Sequence, residues 1–388
     1  MNTINPPVIY YHSIAPDLFK GWVLDWLTMK LRFFEDQMAY LQQNNFDSIF
    51  LDKWLKYRQG EKAVKGNEVC LTIDDGLLDN WVYAYPVAKK YGQKLTLFVS
   101  PECVDPRDIV RPNLEEVWSG KIEAAELEAR GYMSWNEIKL MQESGFVDIQ
   151  CHTMTHAKYV KSSKLAGYYY GGYKGLHPIL NANPAMRPYY MADPEFESRL
   201  PLGTPLFEET SSVVTRRHYI NPDYVQEVIT LAKNYDFEDV GQRVVFEQQA
   251  KKIHQAYADI DNLLAFVEEE DEFQRRLRYE VIESKAIIES KLGKTVEFMC
   301  WPHGDNSQQA HELAKENGYL ATTSGKMLTE QDKADRIPRF GASTFRNNLW
   351  LSRQKFNYKI CSHFHKQPYY AVWLANEFKN KVMNKSPY

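Results

Sequence analysis

Two groups of residues in this chain have the makings of a hydrolytic metal site. Asp74-Asp75-Gly76 follows directly on the apolar run Val69 to Ile73 (VCLTI). At the carboxyl end of a strand in a parallel sheet, two adjacent carboxylates are costly unless something uses them. One can bind a metal while its neighbour acts as base toward water, and Gly76 lets the chain turn sharply beneath them. The same tripeptide is also a common turn and helix N-cap. His152 and His156 follow a second apolar run, VDIQC. Their i, i+4 spacing puts two imidazoles on one face of a helical turn, where both rings can reach one ion. Zinc accepts imidazole and carboxylate, and three protein ligands leave a position open for water. Either motif alone is frequent by chance; Asp plus two His at two strand ends is a metal-hydrolase pattern.

The elements that must position these residues repeat one grammar of short apolar strand, polar turn and amphipathic helix. Strands are predicted at Pro7 to Tyr11, Ser48 to Leu51, Val69 to Ile73, Leu95 to Ser100, Val147 to Gln150 and Phe298 to Trp301. Helical spacing runs through LRFFEDQMAYLQQNN, YAYPVAKKYG, Trp135 to Ser144 and Gln308 to Asn317. Ser134 with Glu137 makes a capping box, and Gly145 and Gly318 close two of the helices. Such alternation implies an α/β fold with a parallel sheet curled into a barrel. The grammar lapses at about 157–290, read as an insertion into a barrel of about 1–350. A basic, aromatic helical tail follows at 351–388, with seven Lys/Arg against one acid, Glu377.

Composition narrows the classes. The chain has 388 residues, 47 basic and 51 acidic, with 44% hydrophobic and 14% aromatic residues. That is ordinary for a globular protein and gives no polyelectrolyte footprint, so nucleic acid is not an expected partner. Five dispersed cysteines without a Cys-x-x-Cys pair read as reduced thiols of a cytoplasmic protein. The N-terminal segment has no basic-then-apolar leader pattern, and no run approaches 18 apolar residues, so neither a secretory signal nor a transmembrane helix is expected. The tail segment Tyr369 to Lys385 has the character of a helix that lies on an anionic membrane, placing the protein at the inner membrane face.

Four segments in order, VIYYHS (Val8 to Ser13), LTIDDG (Leu71 to Gly76) with Asp79-Asn80, HTMTH (His152 to His156) and CWPHG (Cys300 to Gly304), resemble the NodB-homology polysaccharide deacetylases. The resemblance covers about 1–156 and 285–345. It implies a distorted (β/α)7-type barrel and a divalent metal, usually Zn2+, with Co2+ or Ni2+ also suited to the donor set. It makes Asp75, His152 and His156 the ligands and Asp74 the base. The long insertion is similar to that of members acting on surface-glycan precursors. The implied reaction is de-N-acetylation of an amino sugar in a surface polysaccharide or its lipid-linked or repeat-unit precursor.

Two parts of the family's machinery lack an obvious match. The Arg that orients the base is best matched by Arg187 in Arg187-Pro188-Tyr189-Tyr190, with Arg216-Arg217 as rival. Arg336 to Ser343 (RIPRFGAS) contains no His where the family carries its late Leu-x-His. His303 is then the first candidate for the general acid and His12 the second. His12, Trp301 and Tyr189 are expected to contact substrate, and the Tyr/Gly cluster GYYYGGY to offer rings to a glycan. The missing late His keeps open a glycan-binding module without turnover, and amidohydrolysis of a formyl group or a cyclic amide is the other alternative.

Overall fold

The computed structural model describes residues 5–16, 24–345 and 347–382. Eight strands form one parallel sheet: β1 (Val8–Tyr11), β2 (Glu68–Ile73), β3 (Leu95–Val99), β4 (Val147–Cys151), β5 (Phe298–Met299), β6 (Ala321–Thr323), β7 (Arg336–Ile337) and β8 (Phe340–Gly341). Their hydrogen-bonded order is β7-β6-β5-β4-β3-β2-β1-β8, and the short strand Asp47–Ser48 pairs with the start of β2. The two edge strands are consecutive in the chain. Only Pro338 and Arg339 separate them, a reach of about 11 Å at most. The sheet must therefore curl until its edges nearly meet, and one short segment crosses the seam.

Both faces of this sheet are covered, as a parallel sheet requires. Along β2, Val69, Leu71 and Ile73 join the main core with Ile9, Leu97 and Ile149. Cys70 points the other way, into a cluster with Val8, Phe98, Phe298, Ile337 and Trp54. Trp54 belongs to the helix Leu51–Arg58, and its indole donates to the carbonyl of Pro6 at 2.9 Å. The predicted helices form at Leu31–Gln43, Trp135–Glu143 and Gln308–Glu316, and the Ser134/Glu137 capping box is present. All five cysteines are buried free thiols.

The stretch after His156 packs in two parts. Its middle builds a core of its own: the antiparallel pair Lys158–Tyr168 and Pro205–Ser211 packs on the helices Pro222–Ala232 and Val240–Asp259. Tyr168, Phe207, Tyr224 and Phe246 fill that core. Its end packs on the barrel: Phe273, Leu277, Val281 and Ile288 join the main cluster. The tail forms helices at Leu349–His363 and Tyr369–Val382, and the second exposes Val372, Leu374 and Phe378. Residues 383–388 of the predicted tail lie outside the described residues. Among the described residues, no helix is long and apolar enough to cross a membrane.

Candidate active site

Because every strand of the sheet runs the same way, the residues just past their carboxyl ends share one rim. His12 follows β1, Asp74 and Asp75 follow β2, His152 follows β4, His303 follows β5, and Arg339 follows β7. Backbone hydrogen bonds continue the sheet into this rim, from Asp74 N to Tyr11 O (3.1 Å) and from His152 N to Val99 O (2.9 Å). Asp75 and Gly76 both turn into the left-handed region, at φ 76° and 72°. A Cβ on Gly76 would also lie 3.2 Å from Val99, so the tight packing and the left-handed angle both favour glycine there.

The two carboxylates of the pair have separate surroundings. Asp74, 3% exposed, receives both arms of the Arg339 guanidinium: Nη1 to Oδ1 at 2.7 Å and Nη2 to Oδ2 at 2.9 Å. Arg339 also donates to Thr72 Oγ1 (3.1 Å) and Cys300 Sγ (2.9 Å). Burial alone would raise the Asp74 carboxyl; the charge and hydrogen bonds of Arg339 outweigh it and hold Asp74 below its ordinary value. His12 Nε2 stands 3.7 Å from Asp74 Oδ2. Asp75 faces the other way, with Oδ1 at 3.2 Å from Nε2 of both His152 and His156.

This second group has the donor chemistry of a cation site. His152 Nδ1 lies 2.8 Å from the carbonyl of Cys300. A carbonyl only accepts, so that nitrogen carries a proton and Nε2 is the ring atom turned to the site. It points at a buried carboxylate oxygen onto which no hydrogen bond closes among the described residues. One carboxylate and two imidazole nitrogens converging in this way are a donor set that a divalent cation takes. One donor atom from each of Asp75, His152 and His156 lies within 4.8 Å of the others. Asp74, His152 and Cys300 make a second such group, but there Arg339 already supplies the positive charge.

A family model described as polysaccharide deacetylase matches residues 61–168, which span both carboxylates and both histidines. Over residues 61–168 the chain carries the pattern of a polysaccharide deacetylase domain. A Bacillus subtilis (strain 168) relative, the "Putative polysaccharide deacetylase YxkH", is 32% identical over 93 residues, 24% of this chain and 31% of that protein's length. The de-N-acetylase of Aggregatibacter actinomycetemcomitans aligns at a TM-score of 0.47 and 16% identity, over 82% of this chain and 87% of that one. The BpsB deacetylase domain of Bordetella bronchiseptica aligns at 0.49 and 14% identity, over 88% and 96%.

In this deacetylase domain the predicted residues fall into place unevenly. Arg187 does not reach Asp74: its guanidinium pairs with Glu102, which also accepts the hydroxyl of Tyr279. The arginine on the carboxylate is Arg339, which sequence reasoning missed. Nor do the rivals reach it, since Arg217 lies over the rings of Tyr159 and Tyr219 and Arg216 bonds the carbonyl of Glu268. Tyr189 is not on the cavity wall; its neighbour Tyr190 is. Trp301 is on the wall but only 1% exposed. Its ring face is closed to stacking, and what it can offer a ligand is an indole N–H that has no partner among the described residues. In GYYYGGY, Tyr168 packs on Phe246 and Tyr170 on Phe237, and Tyr169 is fully buried. Tyr173 is the tyrosine of that cluster on the cavity wall. His303 stands against the rings of His156 (4.4 Å) and His177 (5.4 Å), with Nε2 buried and unbonded among the described residues.

Behind the pair, Asp79 ties β2 to the segment after β1. It accepts from the Ser13 hydroxyl and from Asn80 Nδ2 (2.7 Å), while Asn80 Nδ2 also donates to His12 O (2.8 Å). Burial pushes the Asp79 carboxyl up to about 8. The folded chain then keeps a proton that the unfolded chain loses near pH 4. Stability from this group is full below about pH 4 and is lost as pH rises through about 8, at about 1.4 kcal/mol per unit. In metal-free protein, the urea midpoint of Asp79→Asn is expected to fall less between pH 5 and 8 than that of the parent. Parallel curves would refute the assignment.

Proposed function

We propose that this domain hydrolyses the N-acetyl group of an amino sugar in a surface polysaccharide or its precursor, with a divalent ion, Zn2+ first, held by Asp75, His152 and His156. The observation that carries this reading is the division of labour in the Asp74–Asp75 pair. One carboxylate is locked to a guanidinium, and the other faces two imidazole nitrogens across an unbonded oxygen. A divalent ion supplies Lewis acidity there, polarising an acyl carbonyl and acidifying water.

The chain's own groups do the rest. Asp74, kept ionised by Arg339, accepts the proton of the attacking water. An amide nitrogen leaves only when protonated, so a donor must stand on the leaving-group side. His12, whose Nε2 is 3.7 Å from Asp74 Oδ2, is the imidazole beside the base, and we assign it that proton in preference to His303. His12 and His303 both stand on the rim in place of the late His, which favours turnover over a binding module. The cavity holds about 860 Å³, toward the upper end of the usual ligand-pocket range of about 300–1,000 Å³. At its lip Trp26, 66% exposed, meets Tyr173 edge-on and offers a face to a sugar ring. A lipid-carried acceptor, approached through the exposed Val372, Leu374 and Phe378 of the tail helix, fits the same reading.

Metal content tests the reading without a guess at the sugar. The purified protein is expected to hold about one equivalent of divalent metal, lost in both His152→Ala and His156→Ala. No metal, even after reconstitution with Zn2+, would overturn it.

A further inference from the structure

The two histidines do not converge by helical spacing. Residues 152–157 form no helix, and the turn between the rings is a strained loop. Thr153 and His156 both adopt left-handed backbone angles, φ 61° and 53°. For a β-branched residue such as Thr153 this is a real outlier. Conformations of this kind persist only where the surroundings over-determine them.

The over-determining group comes from the far side of the sequence. The helix Glu270–Arg278 passes into a π-turn at Tyr279–Glu283 before resuming at Ser284–Leu292. The extra residue in such a turn re-aims the side chains around it. Here it delivers Glu280, 0% exposed, onto the loop. Its Oε2 accepts the backbone N–H of Met154 and of Thr155, each at 3.0 Å, and its Oε1 accepts the Thr155 hydroxyl. Among the described residues no Lys, Arg or His forms an ion pair with Glu280, so three donors of one two-residue segment solvate a buried carboxylate. From the same helix, Ser284 Oγ lies 3.2 Å from Cys151 Sγ, beside His152. Opposite, the carbonyl of Met154 accepts from Glu102 N at 3.1 Å. The turn is gripped from both sides.

We infer that Glu280 is a positioning residue for the metal site: it holds the 153–156 loop in the strained form that points His152 and His156 at Asp75. The inference rests on the reading of those three residues as ligands. Groups that orient ligands in this way typically govern affinity by about 10- to 100-fold. A residue serving the fold alone would change melting temperature and leave the affinity of the folded protein untouched.

The test is Co2+ titration of the metal-free full chain, read by the visible d–d spectrum, at a temperature where circular dichroism shows each variant folded. Glu280→Gln keeps the volume but presents an amide NH2 to donors, so Co2+ affinity is expected to fall at least about 10-fold with an altered spectrum. Glu280→Asp, which keeps the charge, is expected to recover part of the affinity. Wild-type affinity and spectrum in folded Glu280→Gln would overturn the inference. Should that variant not fold, Thr155→Val removes one of the three donors and leaves Glu280 in place. A several-fold loss of affinity supports the clamp, and unchanged binding overturns it. A parent protein that takes up no Co2+ overturns this inference together with the reading beneath it. Uptake by the parent with unchanged variants overturns this one alone.

Discussion

Asp74→Asn is expected to keep its metal and lose about 10²–10⁴-fold in kcat/KM for acetate release. Asparagine preserves the volume and can still accept a hydrogen bond from Arg339, so the barrel mouth should remain intact. It cannot take a proton from water. Asp75, His152 and His156 are untouched, and metal content should therefore match the parent. Acetate release from N-acetylglucosamine oligomers and metal analysis of the same preparation check the two halves together. Turnover within a few-fold of the parent would remove Asp74 from the mechanism. Loss of metal with loss of turnover would show instead that Asp74 is a ligand, contrary to its pairing with Arg339.

Arg339→Met should have the next largest effect, on stability and activity at once. Removing one partner of a buried ion pair leaves an uncompensated charge and costs about 3–5 kcal/mol. Asp74, at 3% exposure, would respond by rising toward protonation. A base whose carboxyl rises is ionised only at higher pH, so the acidic limb of kcat/KM should move to higher pH. Arg339→Lys returns the charge without the planar fork and should recover more stability than activity. Arg187→Met breaks only the pair with Glu102 and should leave the acidic limb where it is. An unmoved limb in Arg339→Met, or a moved one in Arg187→Met, would reverse the assignment of the two arginines.

What was legible in the sequence followed strand ends. Asp74, Asp75 and His152 each sit directly after an apolar run long enough to show as a strand, and a parallel sheet puts all such ends on one rim. His152 and His156 are paired in the sequence by helical spacing, whereas a loop clamped by a glutamate 124–128 residues downstream brings their rings together. Arg339 was illegible for a physical reason: its flanking strands are two residues each, too short for any periodicity, and their separation to opposite edges is purely tertiary. The signal available was Pro338-Arg339 itself, a rigid residue and a cation set between Arg336-Ile337 and Phe340-Gly341. The Tyr/Gly cluster misled because exposure was inferred from glycine, while Tyr168 and Tyr169 face protein cores.

The seam crossed by Pro338 and Arg339 has a consequence for how the chain reaches its active form. β1 gains its outer neighbour, β8, from residues about 330 positions later, through Ile9 and Phe340. Contacts of such separation form late, because loop-closure entropy precedes their reward. Arg339 reaches the rim in that same closing movement. Until then Asp74 lacks the counter-charge that favours its ionised form, so the general base becomes competent only as the barrel shuts. Topology thereby delays the chemistry until the fold is complete.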